Sequence, residues 1–393
     1  MSHRSGQMHL TVALQGAGYH PGSWRHPRAE ADRLVDPSYY YKLAQTAERG
    51  KLDLLFLDLT AVGERQRLAG SEPGLLLEPF TLLGALASVT EHIGLGAAVS
   101  TSVIEPFAVA RQLSALDHLS GGRLAWLAGT AVDLEPRRLR GGPPELSRPE
   151  KLARLQEFLQ VTARLWDSWE DGAVIIDRAS GRYIDADKVH LIRHAGNYFR
   201  VRGPLSIPRS PQGHPVRIGL YGGDDRPDDT DVDTSELVFA STRSLEESVD
   251  FYKTFQTRIA GKGRSPDSAK VLAVVTPILG STEAEARSRA AELAELAMPE
   301  GGKAAEPGRA QPFVGTPEQL ADRLEAWFLA YGSDGFHIQP ALLPGGLEEL
   351  VDQVVPLLRR KGLFREQYEE AALRDRLGLR VPRGRPTREE VRL

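Results

Sequence analysis

Two histidines and a tryptophan, His20, Trp24 and His26, share one irregular stretch, residues 15–27 (QGAGYHPGSWRHP), directly after an apolar run at 9–14. Imidazole titrates near neutrality, and an indole offers an apolar wall with one donor, so the set suits a small-molecule pocket with His20 handling protons. The plainer reading is loop histidines hydrogen-bonded to backbone. A second cluster, Ser100-Thr101-Ser102, follows the apolar run 93–99. Its hydroxyls can hydrogen-bond a ligand or simply close the end of a strand, and both readings stand. A third cluster is acidic: Asp224, Asp225, Asp228, Asp229, Asp231 and Asp233. Hard oxygen ligands suit calcium or magnesium, but the spacing is not that of a calcium-binding loop, and a solvated acidic loop is the expectation. His190, His194 and Tyr198 are irregularly spaced for zinc and read as structural. Asp117-His118, before Gly121-Gly122, reads as a helix end held by capping and ion pairing.

The elements that must position these residues are legible around residues 78–126, which read as helix, strand, helix, strand. Pro79 suits the first turn of a helix, and Leu82, Leu83, Leu86 and Val89 recur at helical spacing. The run 93–99 is short, apolar and flanked by glycine, as a strand buried on both faces should be. The same alternation extends over the whole chain. Strands are expected at 9–14, 52–57, 93–99, 123–127, 216–220, 237–240, 271–275 and 335–339. Helices are expected at 37–49, 107–119, 149–169, 245–260, 282–296, 316–330 and 347–361, besides the one opened by Pro79. Eight alternations without a domain break predict an α/β fold, a single TIM-type (β/α)8 barrel over residues 1–363. Residues 171–215 form a polar, proline-punctuated insertion after the fourth helix, and 364–393 a charged C-terminal arm over the surface or a partner. A doubly wound open sheet is the competing fold, but no Gly-x-Gly-x-x-Gly follows the first strand. Polar residues at strand carboxyl ends then fall where parallel α/β folds do chemistry.

The 393 residues carry a net charge of −4, which predicts no nucleic-acid partner and no attraction to anionic membrane. There is no cysteine, so disulfides, thiolate metal sites and cysteine nucleophiles are excluded. No apolar run approaches a spanning helix, and the opening residues lack the apolar core of a signal peptide, so a cytoplasmic protein is expected.

Longer motifs add a resemblance. They are Trp24-Arg25-His26-Pro27, residues 43–53 (LAQTAERGKLD) and 78–126, 165–170 (LWDSWE), 202–213 (RGPLSIPRSPQG), 313–319 (FVGTPEQ), 343–346 (LPGG) and 362–365 (GLFR). In order and spacing the chain resembles the bacterial-luciferase-like flavin monooxygenases, in the branch of nitrilotriacetate monooxygenase component A. The resemblance implies a TIM-type barrel, usually dimeric, which binds reduced FMN from a separate flavin reductase. It further implies that dioxygen is activated there and a small organic substrate oxygenated. By the same resemblance Asp58, Ser100, Thr101, Thr130, Gly222 and Gly223 are the expected cofactor-binding residues, His20 the catalytic one, and Trp24 and His26 part of the substrate pocket.

The chain departs from the family where flavin is held. Its second strand ends Phe56-Leu57-Asp58-Leu59, with the acid one residue early, which predicts that it turns to the other face. After Trp126 the family's Asn and its Ala-Arg-Asn-Phe-Gly segment are missing, and Leu152 stands for a tyrosine. The fifth strand leads not into a Gly-Ser-Ser phosphate loop but into LYGGDDRPDDTDVDTSEL. Each carboxylate beside a phosphate dianion disfavours it by roughly 1 kcal/mol in water-like dielectric. A competing expectation follows: a family member that has lost FMN, acting as partner subunit to a paralogue or in flavin-independent chemistry. Homodimer and heterodimer are both open.

Overall fold

Every apolar run expected to be a strand is one, hydrogen-bonded in parallel to two others. The computed structural model describes residues 6–58, 77–101, 104–129, 146–222, 234–298 and 312–384. The strands are β1 (His9–Leu14), β2 (Leu54–Leu57), β3 (Gly94–Ser100), β4 (Leu124–Gly129), β5 (Val216–Tyr221), β6 (Leu237–Ala240), β7 (Lys270–Leu279) and β8 (Gly335–Ile338). They pair in sequence order, β8 returns to β1, and β6 pairs with β7, so the sheet closes into an eight-stranded barrel. A short strand, Pro312–Gly315, adds to the outer half of β7.

Helices α1 (Pro37–Arg49), α2 (Pro79–Ala87), α3 (Pro106–Leu119), α4 (Arg148–Trp166), α5 (Leu245–Gly261), α6 (Glu283–Leu296) and α7 (Pro317–Leu329) surround it. Their starts are written locally. Asp36 accepts from the N–H of Ser38, Glu78 from those of Phe80 and Thr81, and Thr316 with Gln319 forms a reciprocal cap, several with proline in the first turn. The fourth helix stops three residues earlier than predicted, because Trp169 bridges to Val189 and the Ser168 hydroxyl accepts from Leu205 N–H at 3.0 Å. The last helix is not uniform. Gly345–Glu349 and Val355–Arg360 are α-helical, and Leu350–Val354 between them is a wider π turn. Pro356 has no N–H to return to the preceding turn, which accounts for the change of register there.

The insertion forms two small hairpins, Val174–Asp177 with Arg182–Ile184 and His194–Ala195 with Arg200–Val201. Glu157 on α4 anchors the second: it accepts from the backbone of Asn197, Tyr198 and Phe199 and lies 3.0 Å from His194 Nε2. His190 is 2.6 Å from Glu170. Asp117 makes hydrogen bonds rather than an ion pair, accepting from Leu124 N–H and the Gln212 amide.

The C-terminal segment corrects the expectation of a surface arm. Leu373, Leu377 and Leu379 are buried against Leu54, Ala125, Val216, Ile218 and Leu237 inside the barrel. Arg374 is fully buried with them, bonded to Glu236 and to the carbonyls of His214 and Arg380. This end is the barrel floor, opposite the strand carboxyl ends. Its charges read as surface residues because their partners are far away in sequence.

Registers fix which side chains enter the barrel. Paired residues on parallel strands share a face, and Leu54, Phe56, Ala98, Leu127, Ile218, Phe239 and Val274 fill the interior. Counting by twos toward the carboxyl ends, Asp58, Ser100, Leu220, Gly222, Thr276 and Gln339 are the next inward positions, at the mouth.

Candidate active site at the barrel mouth

The floor of the mouth is aromatic and dry. His337, 2% exposed, lies parallel to Phe239 with ring centroids 3.6 Å apart, and Phe56 stands edge-on to both. Burial lowers the His337 pKa to about 3, so the ring is neutral, and its Nδ1 lies 2.7 Å from the Thr11 hydroxyl. Above it a polar chain crosses the closing seam. The Tyr19 hydroxyl donates to Asp58 at 2.7 Å, the Gln339 side chain bonds the same phenol, and the Thr276 hydroxyl donates to Gln339 at 3.4 Å. Loss of solvent around the phenol, then the nearby Asp58, raise the Tyr19 pKa well above its ordinary value. It therefore stays protonated and acts as donor.

On β3, next along the wall from Asp58, Ser100 points inward. Its hydroxyl is buried, the residue being 1% exposed, and has no hydrogen-bond partner among the described residues. Leu220, whose parity also turns it inward, is 49% exposed. An unbonded buried hydroxyl is costly, and a half-exposed leucine at a barrel mouth leaves apolar surface in water, so both suit a bound molecule.

The expected site residues divide. Ser100 and Asp58 face the mouth together; the expected turn of the early acid to the other face is not found, because Asp58 shares the inward parity of Leu54 and Phe56 and accepts from Tyr19. Thr101 uses its N–H and hydroxyl on the Gly129 carbonyl, closing the strand end. His20 is half-buried beside Tyr19. Its N–H donates to Ala341, its Nδ1 accepts from Gly22 N–H at 3.2 Å, and burial lowers its pKa. The neutral ring then carries its proton on Nε2. Trp24 lies half-buried in a single turn, Ser23–Arg25, docked on the end of α6 through Arg25, which donates to the carbonyls of Leu296 and Met298. His26 turns away from the mouth: its Nε2 lies 3.5 Å from Glu292 on α6. With Arg28, Ile278, Leu279, Arg289 and Gly346 it lines a separate cleft of about 230 Å³. Thr130, Gly223 and the aspartates of 224–233 lie outside the described residues. Among the described residues, no group of three or more His, Asp or Glu could hold a metal ion.

Gly222 has a reason of its own to be glycine. Its φ is +111°, and a Cβ there would stand 2.4 Å from the Ser241 carbonyl oxygen of the neighbouring strand end. Gly222→Ala is expected to destabilise the fold by about 1–3 kcal/mol, measured by urea unfolding. A loss below 0.5 kcal/mol, on the order of an ordinary surface change, would show that the close approach is not structural.

Tyr19, Thr276, His337 and Gln339 were missed by sequence reasoning. A signal existed for two of them: His337 and Gln339 are polar at alternate positions of an otherwise apolar strand, so they share one face.

Comparison with known proteins agrees with this architecture. The profile of the family described as luciferase-like monooxygenase matches residues 9–334. The chain belongs to the luciferase-like monooxygenases. This luciferase-like monooxygenase is similar to N-acetyl-S-(2-succino)cysteine monooxygenase of Bacillus subtilis (strain 168), 37% identical over 443 aligned residues that cover 97% of this chain and 99% of the relative. It is similar to nitrilotriacetate monooxygenase component A of Aminobacter aminovorans, 36% identical and covering 96% and 97% of the two chains. Among solved structures, a long-chain alkane monooxygenase superposes with a TM-score of 0.85 at 30% identity, covering 95% of this chain and 96% of the other. The 443 aligned positions exceed the 393 residues of this chain, so at least 50 of them face no residue here.

Proposed function

We propose that this luciferase-like monooxygenase works with FMN, bound reduced after delivery by a separate flavin reductase, and oxygenates a small organic substrate. The overall reaction balances as reduced FMN, dioxygen and R–H giving FMN, R–OH and water. The observation that carries the reading is the Ser100 hydroxyl, buried at the mouth with no hydrogen-bond partner among the described residues, with the exposed apolar Leu220 two strands along the same wall. A flat, largely apolar ring with polar edges fits such a cradle. Ser100 would hydrogen-bond its edge and Leu220 cover its face, above the floor of Phe56, Phe239 and His337. That floor keeps water out, and neutral His337 offers no acidic proton from below. His20, with its proton on Nε2, is the group at the rim suited to handle a proton. Nitrilotriacetate monooxygenase is named as having a component A, which supports a reductase as second component. The differing substrates in the relatives' names support no single substrate for this chain. A cytoplasmic location and a dimer, with itself or a paralogue, complete the proposal; among the described residues no helix is long and apolar enough to cross a membrane.

A second reading keeps the barrel and drops the flavin: a partner subunit of an FMN-binding paralogue, or flavin-independent chemistry. The six aspartates after Gly223 favour it, standing where the family implies a phosphate. Fluorescence titration with FMN, oxidised and under anaerobic reduction, separates the two. Saturable binding of the reduced form is expected. An unchanged signal at millimolar flavin would end the monooxygenase proposal and turn the search to a partner chain.

A further inference from the structure

We propose that Tyr19 is a positioning residue, which through Asp58 makes the β1–β2 side of the mouth a fixed acceptor for an N–H or O–H group of the bound flavin. The proposal rests on the flavin reading above and adds to it residues that the family resemblance did not supply. Four consecutive elements around the closing seam contribute: Thr276 at the outer half of β7, Gln339 after β8, Tyr19 in the loop after β1, and Asp58 after β2. Their hydrogen bonds have one direction. Thr276 donates to the Gln339 carbonyl oxygen, which leaves the Gln339 amide as the donor to the phenol, and the phenol donates to the carboxylate. The phenol thus passes the direction of the chain on to the Asp58 carboxylate, which accepts from it.

Two consequences follow from chemistry. Tyr19 holds one carboxylate oxygen at 2.7 Å, which restricts rotation of Asp58, and its backbone N–H is tied to the Leu14 carbonyl at 3.0 Å. A carboxylate held in one orientation selects ligand groups that donate a hydrogen bond. The isoalloxazine of FMN carries ring N–H donors.

The test is a double-mutant cycle on the dissociation constant of FMN, read by fluorescence with Tyr19→Phe, Asp58→Asn and the pair. Tyr19→Phe removes one hydroxyl and should weaken FMN roughly five- to tenfold, and Asp58→Asn at least as much. The pair should bind no more weakly than Asp58→Asn alone, because Tyr19 acts only through the carboxylate. Gln339→Leu, one step back in the chain, should cost roughly two- to threefold and nothing in the Asp58→Asn background. It also serves if Tyr19→Phe does not fold, with melting curves as the check on each variant. Multiplicative effects of Tyr19→Phe and Asp58→Asn, or an unchanged constant in Tyr19→Phe, would overturn the positioning role while leaving the flavin reading intact. Absence of FMN binding to the unaltered protein would overturn both.

Discussion

Arg374→Ala is expected to destabilise the protein by about 3–5 kcal/mol, the cost of breaking a buried ion pair from one side. Arg374 is fully buried, and its guanidinium bonds both oxygens of Glu236, at 2.5 and 3.0 Å, and the carbonyls of His214 and Arg380. Truncation leaves the mostly buried Glu236 carboxylate, still bonded by Arg217 N–H, without its charge partner and takes a donor from two carbonyls. It also opens a cavity beside Leu373 and Leu377, which cap the interior of the barrel. Replacing both partners, Arg374→Met with Glu236→Leu, should recover much of the loss, since an apolar pair of similar size has no charge to desolvate. Urea unfolding of the single and double variants measures both. A single variant within 1 kcal/mol of the parent, roughly a surface-pair effect, would mean that the C-terminal segment does not seal the barrel.

The second large effect is on pH. His337 titrates at about 3 in the folded protein, lowered by burial from 6.5. Between those values the unfolded chain binds the proton and the folded one does not, so stability is full above 6.5 and falls as the pH drops toward 3. The slope is about 1.4 kcal/mol per pH unit, or roughly 2 kcal/mol between pH 6.5 and 5. His337→Phe keeps a ring on Phe239 and cannot titrate. Its stability at any one pH can differ from the parent, because Thr11 loses a partner, but its dependence on pH over this window should be flatter by that slope. Parallel curves for the two proteins would show that His337 is not the group responsible.

These expectations rest on residues of unequal visibility in the sequence. The eight strands could be read because each is largely buried on both faces and so is mostly apolar, a pattern of four to seven residues that needs no partner to recognise. Helix starts could be read for a similar reason: Asp36, Glu78 and Thr316 cap residues two or three positions away. Ser100 and Thr101 were legible as a pair, but not which of them faces the mouth. Neighbours on a strand point oppositely, and only closure of the barrel, with Ala98 inside, assigns Ser100 to the interior and Thr101 to the end of β4.

By itself, then, the sequence determined the barrel, its order and the family, because these depend on short-range periodicity and on motifs contiguous in the chain. Tertiary structure alone decided what the polar residues do. Tyr19 meets Asp58 across 39 positions, Thr11 meets His337 across 326, and Arg374 meets Glu236 across 138. No local pattern announces such pairs. A charged or hydroxyl side chain looks solvated until the fold brings up the group that removes its water, and that group is chosen by strand order and register.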